Sequence, residues 1–477
     1  MVKEVISVNI GQAGIQLSNA AWELFCMEHG IRSDGFNVSR FSETDSSQLT
    51  FFYDVGDRFV PRCLTLDFEP TVVDEIRLGV YRNLFNPRFL VSGFEDASGN
   101  FARGCFTEGK KFILSALENV RKLVENCSCL EAFCFLNSYD GGTGSGFTSL
   151  LEEEMVVDYS KITKLQLGIL PSNKLASSTV YPYNSLLHTS YTISYIDICP
   201  MLDNETIYNV CANKLKTDRP SFTNINRLIG QIYSNITVSL RYENHISSSL
   251  DQLSTNLIPY PKLHFTLVHS SPICEQSVYD KISLDINEIT TELFELDNQL
   301  TNCDHREGKF MACNIQYRGD VSAVEVNKAI NNVKRRQTIQ FVDWCPTGFK
   351  IGISSQPPAS PPGSIMAQMR RNATMLSNTS AIGCVWNSLL FKFDCLYSKR
   401  AFLHWFVGEG LEEQEFAQSK DVIMQLKLDY EEIATSSQPK VVDTNVNHAQ
   451  SDVGYFNDME GDTLKRPDST NSFPLEF

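Results

Sequence analysis

A chain of 477 residues with 42% hydrophobic content can bury a large core, and its length has room for about three domains. Its net charge of −16 argues against nucleic acid as a partner and favours basic partners or a compensating assembly interface. The 14 cysteines contain no facing Cys-x-x-Cys pairs, so they read as reduced, buried thiols rather than a zinc site. No leader-like opening and no apolar run approaching the roughly 20 residues of a membrane span are visible, so a soluble, intracellular protein is expected.

In chain order, the first 200 residues alternate β-rich apolar runs with helical patterns, which predicts a parallel sheet covered on both faces. Strands are expected at residues 5–10, 63–66, 132–136 and 165–170, and helices at 15–29, 72–85 and 147–159. A long helical stretch follows from Tyr208 through Leu240, then mixed elements including strands at 309–317 and 338–341. Residues 386–433 read as helical, with Phe416, Ile423, Leu426, Tyr430 and Ile433 on one face of the last helix and Glu412, Glu413, Glu415, Asp421, Asp429, Glu431 and Glu432 on the other. Beyond Ile433 the periodicity stops, and a Ser-, Asn-, Asp- and Thr-rich composition predicts a disordered tail of net charge −4.

Open α/β sheets bind ligands beyond the carboxyl ends of their strands, so the turns there carry the functional reading. The strongest is Gly141-Gly142-Thr143-Gly144-Ser145-Gly146, between a strand and a helix. Successive glycines let backbone N–H groups face an anion at a helix N-terminus, and Ser138, Thr143 and Ser145 add hydroxyls. No lysine follows the last glycine, so this is not a P-loop. A glycine-rich linker is the plain alternative, but linkers seldom join a buried strand to an amphipathic helix. Gly11-Gln12-Ala13-Gly14 repeats the arrangement after the first strand. Asp67 and Glu69, two residues apart before Pro70, point the same way, either toward a metal bridged to phosphate or simply as a solvated loop pair or a helix N-terminal charge. In Arg219-Pro220-Ser221-Phe222-Thr223-Asn224-Ile225-Asn226, the ring can stack on a base and an amide can bond a purine edge, although a core Phe with a capping Asn is the commoner cause of such a segment.

Together, GQAGIQLSNA, LDFEPTVVDEIR, GGTGSGFTSLLEEE, DNETIY, RPSFTNINRLIGQI and TNLIPYPKLHF closely resemble the tubulin family, over nearly the whole chain to about Ile433. FVDWCPTGFKIGI and the longer loop from Gln356 to Ile365 resemble the alpha rather than the beta subunits, as do MLSNTSAI and YSKRAFLHWFVGEGLEEQEF. The resemblance implies an α/β fold: a Rossmann-like GTPase domain with a parallel sheet (1–203), a core helix and second α/β domain (204–379), a C-terminal helical hairpin (380–433) and a disordered acidic tail (434–477). It implies GTP and Mg2+ as ligands, beta-tubulin as partner in dimer and polymer, and associated proteins and motors engaging the acidic C-terminal helix. The implied location is the cytoplasmic microtubule cytoskeleton, in a specialised array such as an axoneme or spindle. Family roles carried over by position put Gln12, Ser138, Gly142, Thr143 and Ser177 at the phosphates and ribose and Glu69 at magnesium. Asn204, Phe222 and Asn226 hold the base and sugar, and Asp96, Gly141 and Gly144 complete the GTP site. In alpha subunits this GTP is buried against the partner and is not turned over.

Several positions depart from the family pattern. Where a Glu reaches the GTP of the next beta subunit and activates the attacking water, this chain has Gln252, which cannot accept a proton; a companion acidic position is Ser249. Asp140 replaces the first glycine of the phosphate loop, pointing to solvent or supporting magnesium, and Tyr181 replaces an acidic residue near the ribose. No lysine lies between Lys3 and Lys110, so the luminal acetylation of ordinary alpha subunits is excluded there, and the poly-Glu tail is replaced by a mixed one ending Glu476-Phe477. The lateral-contact segment reads Tyr279-Asp280-Lys281. The leading expectation is therefore a divergent alpha-type subunit. A regulatory or capping subunit that binds beta-tubulin without building the lattice is the second. A dehydrogenase-like enzyme is disfavoured because the first strand is not followed by Gly-x-Gly-x-x-Gly.

Overall fold

The computed structural model describes residues 2–435 apart from 38–45, 57, 173, 243, 247–248, 282–283, 337–338 and 346–347. The expected disordered tail lies outside the described residues, except for its first two positions. Among the described residues there are thirteen strands: β1 (Glu4–Ile10), β2 (Phe52–Asp54), β3 (Phe59–Pro61), β4 (Cys63–Asp67), β5 (Leu90–Ser92), β6 (Leu130–Ser138), β7 (Thr163–Leu170), β8 (Cys199–Asp203), β9 (Asn244–Ile246), β10 (Phe265–Ser271), β11 (Phe310–Gly319), β12 (Phe349–Ser354) and β13 (Arg371–Thr379). Eleven of them form one sheet in the order β5-β4-β1-β6-β7-β8-β10-β13-β11-β12-β9, while β2 and β3 make a separate hairpin. From β5 to β10 every pair is parallel. The pairs β10/β13, β13/β11 and β12/β9 are antiparallel, and β11/β12 is parallel. The parts expected as two α/β domains thus share a continuous sheet.

Both faces of the parallel half are covered, which is why β1 is buried at every residue rather than alternating with polar ones. Successive side chains of β1 serve two cores. Ile6, Val8 and Ile10 belong to the core that also holds Ala116, Leu151, Leu186, Trp386 and Tyr430. Val5 belongs to the other, with Ile15, Trp22, Ile229 and Ile232. The second core joins the helix Gly11–Glu28 to the central helix Phe222–Arg241. Their far ends are locked by Glu28, whose carboxylate is buried between Arg241 and Arg318. Those two guanidinium groups hold it well below the usual carboxylate range, against the opposing effect of burial.

Three expectations differ from the structure. The helical stretch from Tyr208 to Leu240 is two helices, Asn204–Asn213 and Phe222–Arg241, because Pro220 interrupts it and Ser221 caps the second with its side chain accepting from the Asn224 N–H. The helix expected over 72–85 is Pro70–Leu78 and ends at Gly79. The strand expected at 338–341 is, among the described residues, a single bridge between Phe310 and Phe341. The last helix, Glu413–Thr435, buries Phe416, Ile423, Leu426, Tyr430 and Ile433, the face read from the sequence. No described helix is long and apolar enough to cross a membrane.

Candidate functional site

The glycine loop leaves the end of β6, turns at Tyr139–Gly142, and enters a helical run that begins as a wide turn, Thr143–Phe147, and continues as Thr148–Asp158. The N–H groups of such a first turn have no partner within the helix. Beside it, β1 ends at Ile10, and Gly11 opens the helix Gly11–Glu28 with φ of +72°. The two turns touch. A Cβ on Gly11 would lie 3.2 Å from the Gly144 nitrogen, and one on Gly144 would lie 2.6 Å from the Ser138 carbonyl oxygen. Gly142 is packed as tightly, since its Cβ would meet the Asn100 nitrogen at 2.6 Å. Gly141 differs: a Cβ there would meet nothing within 4 Å. One side of the loop is therefore fixed by backbone contact and the other is open for a ligand's close approach.

A buried polar network sets the fixed side. Asn137 Nδ2 donates to the Gly144 carbonyl at 2.8 Å. His188 is fully buried, and burial pushes its imidazole down to about 3, so the ring is neutral. Its Nδ1 lies 3.0 Å from the Ser145 carbonyl, which only accepts, so Nδ1 carries the hydrogen. Nε2 then accepts from Gln166 Nε2 at 3.0 Å. Asn184 holds the outer turn, donating to the Asp140 and Gly99 carbonyls at 2.7 Å and accepting from the Phe101 N–H. Sequence reasoning named none of Asn137, Gln166, Asn184 and His188. The i, i+4 spacing of Asn184 and His188 is a usable signal only once the helix Tyr181–Thr192 is known to face this loop.

Asp140 does not point to solvent. It is 8% exposed, and its Oδ2 accepts from the Ser177 N–H at 2.9 Å and the Ser177 hydroxyl at 2.6 Å. Its Oδ1 is buried without a hydrogen-bond partner. The carboxylate thus clasps the loop that carries Ser177, and the one hydroxyl proton of Ser177 is already committed. Tyr181 begins the next helix, with the Lys392 ammonium 5.5 Å from its ring centre.

The other named residues lie on several elements. Gln12 is exposed on the first turn of its helix, and Gln16, one turn on, reaches a cleft of about 530 Å3 that is also lined by Asn19, Phe222 and Asn226. Phe222 is 58% exposed at the head of the central helix, as suits a stacking ring and not a core one. Asn204 is the first residue of the helix Asn204–Asn213, capped by Asp203, and is half-buried. Glu69 and Asp96 are exposed, and Asp96 accepts from the Ser98 N–H at 3.0 Å. Gln252 is exposed on the helix Leu250–Leu257, away from the buried Leu250, Leu253 and Leu257. Ser249 caps that helix, accepting from the Gln252 N–H at 3.1 Å.

Asp67 gives the acidic turn its electrostatic character. Burial, with Asp96 and Glu69 adding repulsion, pushes its carboxyl up to about 7. Such a turn gains from a cation. Among the described residues no three acidic, His or Cys side chains converge to chelate one. Magnesium, which keeps waters and takes one or two carboxylates plus phosphate oxygens, is compatible with that arrangement. The raised value has a direction in stability. The folded state holds a proton that the unfolded chain releases near 4, so stability falls as pH rises from about 4 to about 7. Asp67→Asn is expected to flatten that fall in nucleotide-free protein, measured as the urea midpoint against pH; an unchanged slope would contradict the assignment.

The parallel sheet, the paired turns at its strand ends and the open face of the glycine loop are the frame of a phosphate-binding α/β protein. The Tubulin/FtsZ family GTPase domain matches residues 4–212, and the tubulin C-terminal domain matches residues 261–390. Similarity to the tubulin alpha-2 chain of Caenorhabditis elegans is 48% identity over 437 residues, covering 91% of this chain and 98% of that one. The chain belongs to the tubulin family and is alpha-tubulin-like, a GTP-binding protein of the microtubule cytoskeleton.

Proposed function

We propose that this chain is a divergent alpha-type structural subunit that pairs with beta-tubulin and keeps one GTP as a buried ligand it does not turn over. The open face of Gly141, beside glycines that are packed against backbone, is the observation that carries the reading. In it the phosphates rest on Gly141, Gly142, Thr143 and Gly144, with Gln12 and Ser138 beside them and magnesium held through Glu69. Asp96 lies at the phosphate end, the base stacks on Phe222, and Asn204 and Asn226 read its edge and the sugar. Ser177 serves the nucleotide through the loop that Asp140 clasps, because its own hydroxyl proton is taken.

Gln252, exposed on its helix, faces the GTP of the next beta subunit in this reading and replaces the general base there. A lattice containing the subunit hydrolyses that GTP slowly and suits a long-lived, specialised array. The acidic face of the helix Glu413–Thr435 supplies the docking surface for motors and associated proteins. Expressing the tagged chain in cells tests the building role. Incorporation along the full length of microtubules supports it, while signal at ends only, or none on polymer, replaces it with the capping reading.

A further inference from the structure

Cys303 and Cys384 are 81 positions apart in the sequence, and a second cleft of about 190 Å3 brings their segments together. Cys384 lines that cleft, as do Thr301 and Asn302, the residues leading to Cys303. Cys303 is buried and Cys384 is exposed. The two segments already run side by side, with the Ser380 N–H donating to the Lys309 carbonyl at 3.0 Å and the Lys309 N–H donating to the Ser380 hydroxyl at 2.9 Å. The Cys303 thiol donates to the Ala381 carbonyl oxygen at 3.2 Å, three residues before Cys384.

Cys384 is the second residue of the 15-residue helix Gly383–Tyr397, where the helix dipole favours a negative charge. The hydrogen bond from Cys303, followed by those from the backbone N–H groups of Cys384 and Val385, holds the Cys384 thiol below its ordinary range. The same bond to Cys384, and then burial, push the Cys303 thiol up. An exposed, thiolate-prone cysteine next to a buried thiol is the arrangement of a redox sensor with its resolving partner. A structural metal site is not what the pair offers, because among the described residues no group of three His, Cys, Asp or Glu side chains could hold an ion.

We propose that Cys384 and Cys303 are a redox-switchable dithiol that reacts with low-molecular-weight disulfides such as oxidised glutathione. The Cys384 thiolate attacks one sulfur of the small disulfide, expelling one thiolate and leaving a mixed disulfide on Cys384. Cys303 gives up its proton and attacks the Cys384 sulfur, and the second small thiol leaves. Two protein thiols are oxidised by two electrons, the small disulfide is reduced to two thiols, and the protons released by the protein end on those thiols. The bond ties the segment before the turn His305–Glu307 to the head of the helix Gly383–Tyr397 along the cleft wall. In a reducing compartment such a bond is transient, as expected of a sensor rather than a staple.

The test uses the full chain copurified with its tubulin partner, equilibrated in glutathione buffers of graded poise, quenched in acid and mapped by peptide mass. A cross-linked Cys303–Cys384 peptide is expected to dominate at the oxidising end and to disappear with dithiothreitol. Cys384 is expected to react at least about tenfold faster at pH 7 than Cys395, the other exposed thiol on that helix. Cys303→Ser, with its circular dichroism and bound nucleotide unchanged, is expected to stop at glutathione on Cys384. Wild-type protein that accumulates glutathionyl Cys384 without the cross-link, or a Cys384 no faster than Cys395, would overturn the proposal.

Discussion

Gly141→Ala is expected to weaken GTP retention while leaving the unfolding midpoint of the nucleotide-free protein unchanged, whereas Gly142→Ala is expected to destabilise the fold itself. The two glycines are adjacent in sequence and differ only in what faces them. A methyl on Gly141 meets no protein atom within 4 Å, so it intrudes only on whatever lies against the open face. A methyl on Gly142 would press on the Asn100 nitrogen and oxygen at 2.6 and 2.7 Å, both backbone atoms that cannot rotate away. Overpacking of this kind costs about 1–3 kcal/mol. Losing one hydrogen bond to a charged group costs about 1.5–3 kcal/mol, or roughly a tenfold to hundredfold loss of affinity for the Gly141 variant. Melting curves and retained nucleotide, measured on both variants, separate the two effects. Unchanged nucleotide content in Gly141→Ala would mean that the loop faces only solvent.

Restoring a carboxylate at the facing interface carries the largest kinetic effect. Gln252→Glu, in copolymers with beta-tubulin, is expected to raise the rate of phosphate release by a factor of about 10² to 10⁴, the usual worth of general-base help. An amide can orient a water but cannot take its proton. The substitution should cost the fold nothing, because Gln252 is exposed in the first turn of its helix and an added negative charge there favours the helix dipole. Asp251 is no substitute in place, since neighbours on a helix point about 100° apart. A release rate for the unaltered chain equal to that of ordinary alpha subunits would remove the need for the carboxylate and sink the reading of Gln252.

The parallel half of the sheet was legible because its strands are short apolar runs followed by turn and helix signals. The antiparallel half was harder to read, as β13 (Arg371–Thr379) shows: the strand is buried along most of its length yet carries Asn372, Thr374, Ser377 and Asn378, whose partners include Asn235 of the central helix, His269 of β10 and the Leu257 and Leu263 carbonyls. Its sequence therefore lacks the apolar run that announced β1. The same holds for the site. Gly141 to Gly146 could be found by composition, and Phe222 by its position before two amides. The clasp from Asp140 to Ser177 could not, because it joins residues 37 positions apart that only the fold brings together. Nor could the buried His188, whose neutral form follows from the cavity it occupies and not from its neighbours in the chain.

The account stands or falls on the ligand of the glycine loop. Copurification with beta-tubulin, brief incubation with excess labelled GTP, and nucleotide analysis after removal of the free pool measure it directly. The prediction is one unlabelled GTP per chain, retained without exchange or hydrolysis, in addition to the nucleotide of the partner. Finding no nucleotide beyond the partner's own, or full replacement by the label, would contradict it.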